Sequence, residues 1–154
     1  MIQRIQSIYL FLAALASGAT FLPPLSIGSF QNAAATVVAA QDGLLNVFDN
    51  TGLMVLTASV SILALITLFL FKKRPLQLNI IKALLAMALV GLILLGFMVK
   101  TNLDAFNSND PSNGILTLNP LGFIAPFVAI VLSVLAYRSI KKDEILVRSA
   151  DRLR

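Results

Sequence analysis

Four predominantly apolar stretches, at residues 5–22, 52–71, 80–99 and 120–137, constrain this chain more than any other feature. Each is close to the ~20 residues that a helix needs to cross a ~30 Å hydrocarbon layer. Lipid offers no partner for a backbone N–H or C=O, so each stretch is expected to be a helix. The punctuation agrees. Pro23 and Pro24 stop the first stretch, because proline cannot continue a helix. Asp49, Asn50 and Thr51 are candidate N-caps before the second, and Asn119 followed by Pro120 opens the fourth.

Charge supplies the direction of threading. Of the 12 Lys and Arg residues, only Lys100 falls in a segment expected outside the cell. The others sit at Arg4, at Lys72, Lys73 and Arg74, at Lys82, and in a tail over residues 138–154. Positive residues collect in short cytoplasmic segments. The segments at 26–50 and 101–119 carry Asp42, Asp49, Asp104 and Asp110, so the sign of charge flips at each crossing. The expected architecture is one membrane domain over residues 1–154, an all-α integral membrane protein forming a four-transmembrane-helix bundle with both termini cytoplasmic. Residues 1–18 also read as a signal peptide, with Arg4, an apolar run, then Ala14 and Ala16. Cleavage there leaves three spans and still satisfies the charge rule.

Composition narrows the chemistry. The chain is 58% hydrophobic and 12% charged, whereas a soluble domain carries roughly 25% charged residues. The pI of about 10.0 follows from topology rather than from affinity for nucleic acid. Cysteine and histidine are absent, which removes disulfides, thiol nucleophiles, imidazole acid–base chemistry and soft metal sites. Within the four stretches the one Asp, Glu, Lys, Arg or His side chain is Lys82, near an edge where it can snorkel. Proton relays and ion-coupled carriers rely on such residues at depth. No carboxylate pair falls at a catalytic spacing, and Asp104 with Asp110 is thin evidence for Ca²⁺. The expectation is a non-enzymatic protein with neither metal nor cofactor.

The outer segments carry strand signals. Thr36 to Val38 and Leu44 to Phe48 flank Gln41, Asp42 and Gly43, and Asp-Gly is a preferred hairpin turn. Residues 114–118 alternate and supply a third strand, which predicts a small β-sheet over the helix ends; an irregular Ala-rich loop is the alternative. Residues 107–113 read as a turn or loop, and residues 72–79 as a short basic link making a helical hairpin of the second and third spans.

Two features offer contact surfaces. In the fourth stretch Gly122, Ala125, Ala129, Ser133 and Ala136 follow helical spacing, and small residues let helix backbones approach closely in lipid. That stripe either closes the bundle on itself or faces another protein. Pro126 beside it removes the hydrogen bond to the Gly122 carbonyl and predicts a kink. The tail mixes Lys142, Asp143, Glu144, Leu146, Arg148, Asp151, Arg152, Leu153 and Arg154. Glu144 with Arg148 and Asp151 with Arg154 are favourable helical pairs, so a cytoplasmic helix is expected, held by anionic lipid or by a protein.

Met1, Ile2, Gln3, Arg4, Ile5 and Gln6 at one end, and the word running from Lys142 to Arg154 at the other, resemble a family of small Bacteroidota membrane proteins, domain of unknown function 4293. The resemblance implies a bacterial cytoplasmic-membrane protein and carries no catalytic residue with it. The leading expectation is an accessory or scaffold subunit of a larger membrane complex, whose partners are membrane lipid and other integral membrane subunits. The alternative is a protein that binds or carries lipid or another apolar molecule through a groove near Pro126.

Overall fold

A computed structural model describes residues 2–31, 44–71, 73–109 and 115–151. Four long helices dominate it: α1 over Ile2–Ala19, α2 over Thr51–Phe69, α3 over Arg74–Asn109 and α4 over Pro120–Asp151. The extensive contacts are α1 with α2, α2 with α3, α3 with α4 and α4 with α1, so the helices form a closed ring. Three helices are long and apolar enough to cross a membrane, over Thr51–Phe69, Pro75–Asp104 and Pro120–Val147, and a shorter apolar helix runs over Ile5–Ala19. Bulky side chains face outward: Ile93 is 71% exposed and Phe97 63%. So much apolar surface is stable against lipid, not against water.

The helix bounds differ from the sequence expectation in one systematic way. The link expected at 72–79 shrinks, because α3 already starts at Arg74. Pro75 is tolerated there, in a first turn whose N–H groups have no helical acceptor. Gln77 and Leu78 are buried in the bundle, and Gln77 Nε2 donates to the Thr67 carbonyl at 3.1 Å. At its other end α3 runs on to Asn109, through residues 107–109 that read as loop. Buried Asn102 donates to the Met98 carbonyl at 2.8 Å, and Leu103 packs on the core, so tertiary contacts outweigh the poor helix propensity of Asn, Asp and Ser. At ~1.5 Å per residue α3 is about 54 Å long. It outreaches any hydrocarbon layer.

A three-stranded antiparallel sheet of order β2-β1-β3 covers one end of the ring, with β1 at Gly28–Gln31, β2 at Leu44–Leu45 and β3 at Ile115–Leu118. Gly28 pairs with Leu45 on one side and Leu118 on the other. Among the described residues the central strand is therefore Gly28–Gln31, which carries no strand signal in the sequence. The Thr36 to Val38 segment, with the turn at Gln41 to Gly43, lies outside the described residues. Asn119 locks the sheet to the helices. Its backbone N–H donates to the Ile27 carbonyl at 2.9 Å, its side chain donates to the Pro24 carbonyl at 3.0 Å, and its Oδ1 accepts from Leu121 N at 3.1 Å to cap α4. Asn50 caps α2 by accepting from Leu53 N at 3.1 Å.

The core has three layers. Ile27, Leu45, Val47, Leu53, Leu95, Met98 and Val99 fill the sheet end, where Phe21 meets Phe48 edge-on at 5.5 Å. Ala14, Val60, Ala64 and Leu84 form the middle. Leu10, Leu78, Ile81, Ala136 and Ile140 close the basic end.

Candidate apolar cavity and the ends of the chain

Between the sheet-end and middle layers the ring is not filled. A partly open cavity of about 40 Å³ lies there, far smaller than the ~300–1,000 Å³ typical of sites that enclose a drug-sized ligand. All four helices contribute. From α2 come Leu53, Leu56, Thr57 and Val60; from α3 Met87, Ala88, Gly91, Leu92 and Leu95; from α4 Gly122, Pro126 and Ala129. Ser17 of α1 and the adjacent Thr20 complete the wall, and Ile27 with Val47 bring in the sheet end.

Local sequence explains why the space stays open. Gly91 presents no side chain, and a Cβ built there meets nothing within 4 Å. Across the ring, Pro126 and the small Ala129 also leave room. The wall's three hydroxyls are turned onto the chain itself: Thr20 Oγ1 donates to the Ser17 carbonyl at 2.7 Å, Thr57 Oγ1 to the Leu53 carbonyl at 2.8 Å, and Ser17 Oγ lies 2.7 Å from Ser61 Oγ. A water needs two to four polar partners, so such a space either stays dry or takes an apolar guest.

The small-residue stripe of α4 lies largely buried within the bundle. Ala129 is 3% exposed, Ser133 1% and Ala136 0%. Ser133 Oγ donates to the Ala129 carbonyl at 2.7 Å, and Ala125 is half-buried. Gly122 is tightest of all: a Cβ there would lie 2.3 Å from the Ser26 carbonyl oxygen. The stripe lets α4 approach the rest of its own chain, which is where lipid-embedded helices gain packing energy.

The tail divides. α4 continues unbroken to Asp151, so Lys142, Asp143, Glu144, Leu146, Arg148 and Asp151 are all helical, while Arg152, Leu153 and Arg154 lie outside the described residues. Asp143 is not a surface residue. It is buried, and its Oδ2 accepts a hydrogen bond from Gln6 Nε2 on α1. Lys142 and Leu146 are exposed, with Ile145 at 58% and Val147 at 43% beside them. Sequence reasoning does not single out Gln6 or Gln77. Their one available signal is a long polar side chain at the edge of an apolar stretch.

The two resemblance-bearing words at the chain's ends thus meet in space, through Gln6 and Asp143. No curated protein and no solved structure matches the chain. The family model described as "Domain of unknown function (DUF4293)" matches residues 2–153, nearly the whole chain, and the protein belongs to that family.

Proposed function

We propose that this is a non-enzymatic multi-pass membrane protein that binds a lipid chain or another apolar molecule at the partly open gap between its helices. One observation carries the reading: the cavity is walled by all four helices and lined mostly by apolar residues. In this reading α1 crosses the bilayer with the other three helices. The Lys73 end and the α4 tail face the cytoplasm by the positive-inside rule, and the sheet faces outward. The host is the bacterial cytoplasmic membrane, as the family resemblance implies. Native mass spectrometry of protein extracted in several mild detergents tests the site. The expected result is a co-purifying apolar molecule that is lost when Gly91→Leu fills the space. Ligand-free protein from every detergent tells against it.

The accessory-subunit reading retains one supporting observation. Ile145, Leu146 and Val147 are exposed on the part of α4 beyond Asp143, among basic and acidic residues. An apolar patch with a charged surround suits a protein partner or a lipid surface. Affinity purification of the full chain beside Leu146→Glu separates them: a partner protein lost with that variant supports the subunit reading. Unchanged recovery, with no partner, speaks against it.

A further inference from the structure

We infer that the basic end of the seam between α3 and α4 binds an anionic phospholipid, whose phosphate sits among Lys82, Arg138 and Lys141. The placement follows from packing. Leu78 and Ile81 of α3 share one buried cluster with Ala136 and Ile140 of α4, and Leu85 and Tyr137 pack against it. Residues three and four apart share a helix face, so Lys82 lies beside Leu78 and Leu85, and Lys141 beside Tyr137. Arg138 is one turn from Lys141 and falls between Ala136 and Ile140, at the level of the same cluster. All three cationic side chains are exposed. The carboxylates nearby are engaged elsewhere. Asp143, on the opposite side of α4 from Lys141, is buried and accepts from Gln6 of α1, while Glu144 is half-buried and has a partner of its own. Packed helices lie ~8–10 Å apart, a gap that extended Lys and Arg side chains bridge from both sides.

Depth and charge select the occupant. Lys82 lies within the apolar helix segment Pro75–Asp104, and Arg138 and Lys141 within Pro120–Val147. Cations on such segments reach for the interface, where lipid phosphates are their nearest counter-charges. Basic pockets between membrane helices on the cytoplasmic side suit anionic headgroups. The adjoining surface suits the rest of the lipid. Leu89, two turns on from Lys82, is 52% exposed, and Val131, two turns before Arg138, is 57% exposed. Both lie on the membrane-middle side of the cations, where an acyl chain runs. Free phosphate or a soluble acidic protein makes no use of that strip. The site is separate from the gap near Gly91 and does not depend on it.

The test titrates the full-length protein, in one uncharged detergent, with phosphatidylglycerol, with phosphatidylcholine of the same chains and with inorganic phosphate. Native mass spectrometry and ligand-dependent melting give the readouts. Phosphatidylglycerol is expected to bind about tenfold or more tighter than phosphatidylcholine. Combining Lys82→Gln, Arg138→Gln and Lys141→Gln is expected to erase that preference. All three residues are exposed, so the lipid-free triple variant is expected to melt near wild type. Lys100→Gln removes an exposed cation far along α3 and is expected to leave the preference intact. Equal binding of the two lipids to wild type overturns the inference. So does a preference that survives the triple variant, or one that Lys100→Gln erases equally. Stabilisation by inorganic phosphate equal to that by phosphatidylglycerol overturns the choice of a lipid, as does an acidic protein that displaces the lipid from wild type and is lost from the triple variant.

Discussion

Gln6 and Asp143, 137 residues apart, are joined by a buried hydrogen bond from a side-chain amide to a carboxylate oxygen. The bond ties the start of α1 to α4 beside the Leu10, Ala136 and Ile140 layer. α4 contributes buried residues to the bundle as far along as Asp143.

Gln6→Ala leaves a buried carboxylate oxygen without its donor and is expected to cost about 1–3 kcal/mol. Asp143→Asn keeps an acceptor of the same shape and is expected to cost less. Thermal unfolding in one detergent measures both, and the double variant is expected to be no worse than the harsher single. Additive losses would show that the pair is not coupled.

Two glycines are expected to respond with opposite sign. At Gly122 an added methyl collides with the Ser26 carbonyl at 2.3 Å, a backbone atom that cannot rotate away. Gly122→Ala is expected to destabilise by about 1–3 kcal/mol, as overpacking does. At Gly91 the same methyl meets open space, and a helical glycine costs ~0.5–1 kcal/mol relative to alanine. Gly91→Ala is expected to raise the melting temperature. Equal responses from the two would contradict the packing described.

The Ser17–Ser61 contact between α1 and α2 is short, at 2.7 Å, yet its contribution is expected to be small. Hydrogen bonds between membrane helices average about 0.6 kcal/mol, because the separated helices find other partners. Each hydroxyl also has a carbonyl of its own helix within reach, at 3.2 Å for Ser17 and 3.1 Å for Ser61. Ser61→Ala is expected to shift unfolding by well under ~1 kcal/mol. A loss several times larger would mean that this contact, not aliphatic packing, holds the two helices together.

Threading can be read by accessibility labelling, since the chain has no cysteine of its own. Lys73→Cys and Ala150→Cys are expected to react from the same side of the membrane, and Thr117→Cys, on the sheet, from the other. Reaction of positions 73 and 150 from opposite sides would overturn the proposed topology.

Much of the fold is legible in particular residues. Asn50, Asn119 and Pro120 mark helix starts because capping and proline geometry are local effects. The first helix stops at Ala19, three residues short of the end at 22 expected from Pro23 and Pro24. The extension of α3 through Asn102 and Asp104 is not legible, since it depends on Leu103 finding the core. Nor is the central strand at Gly28–Gln31, whose pairing comes from segments far along the chain.

The existence and order of the four helices, their apolar character and the pattern of positive charge were settled by sequence alone, because hydropathy, proline and lipid solvation act over a single turn or span. Which face of α4 turns inward, where Gln6 finds its acceptor, and why a space remains beside Gly91 were decided only in the tertiary structure. Each depends on the separation of side chains from different helices, and small residues permit close approach at many angles without selecting one.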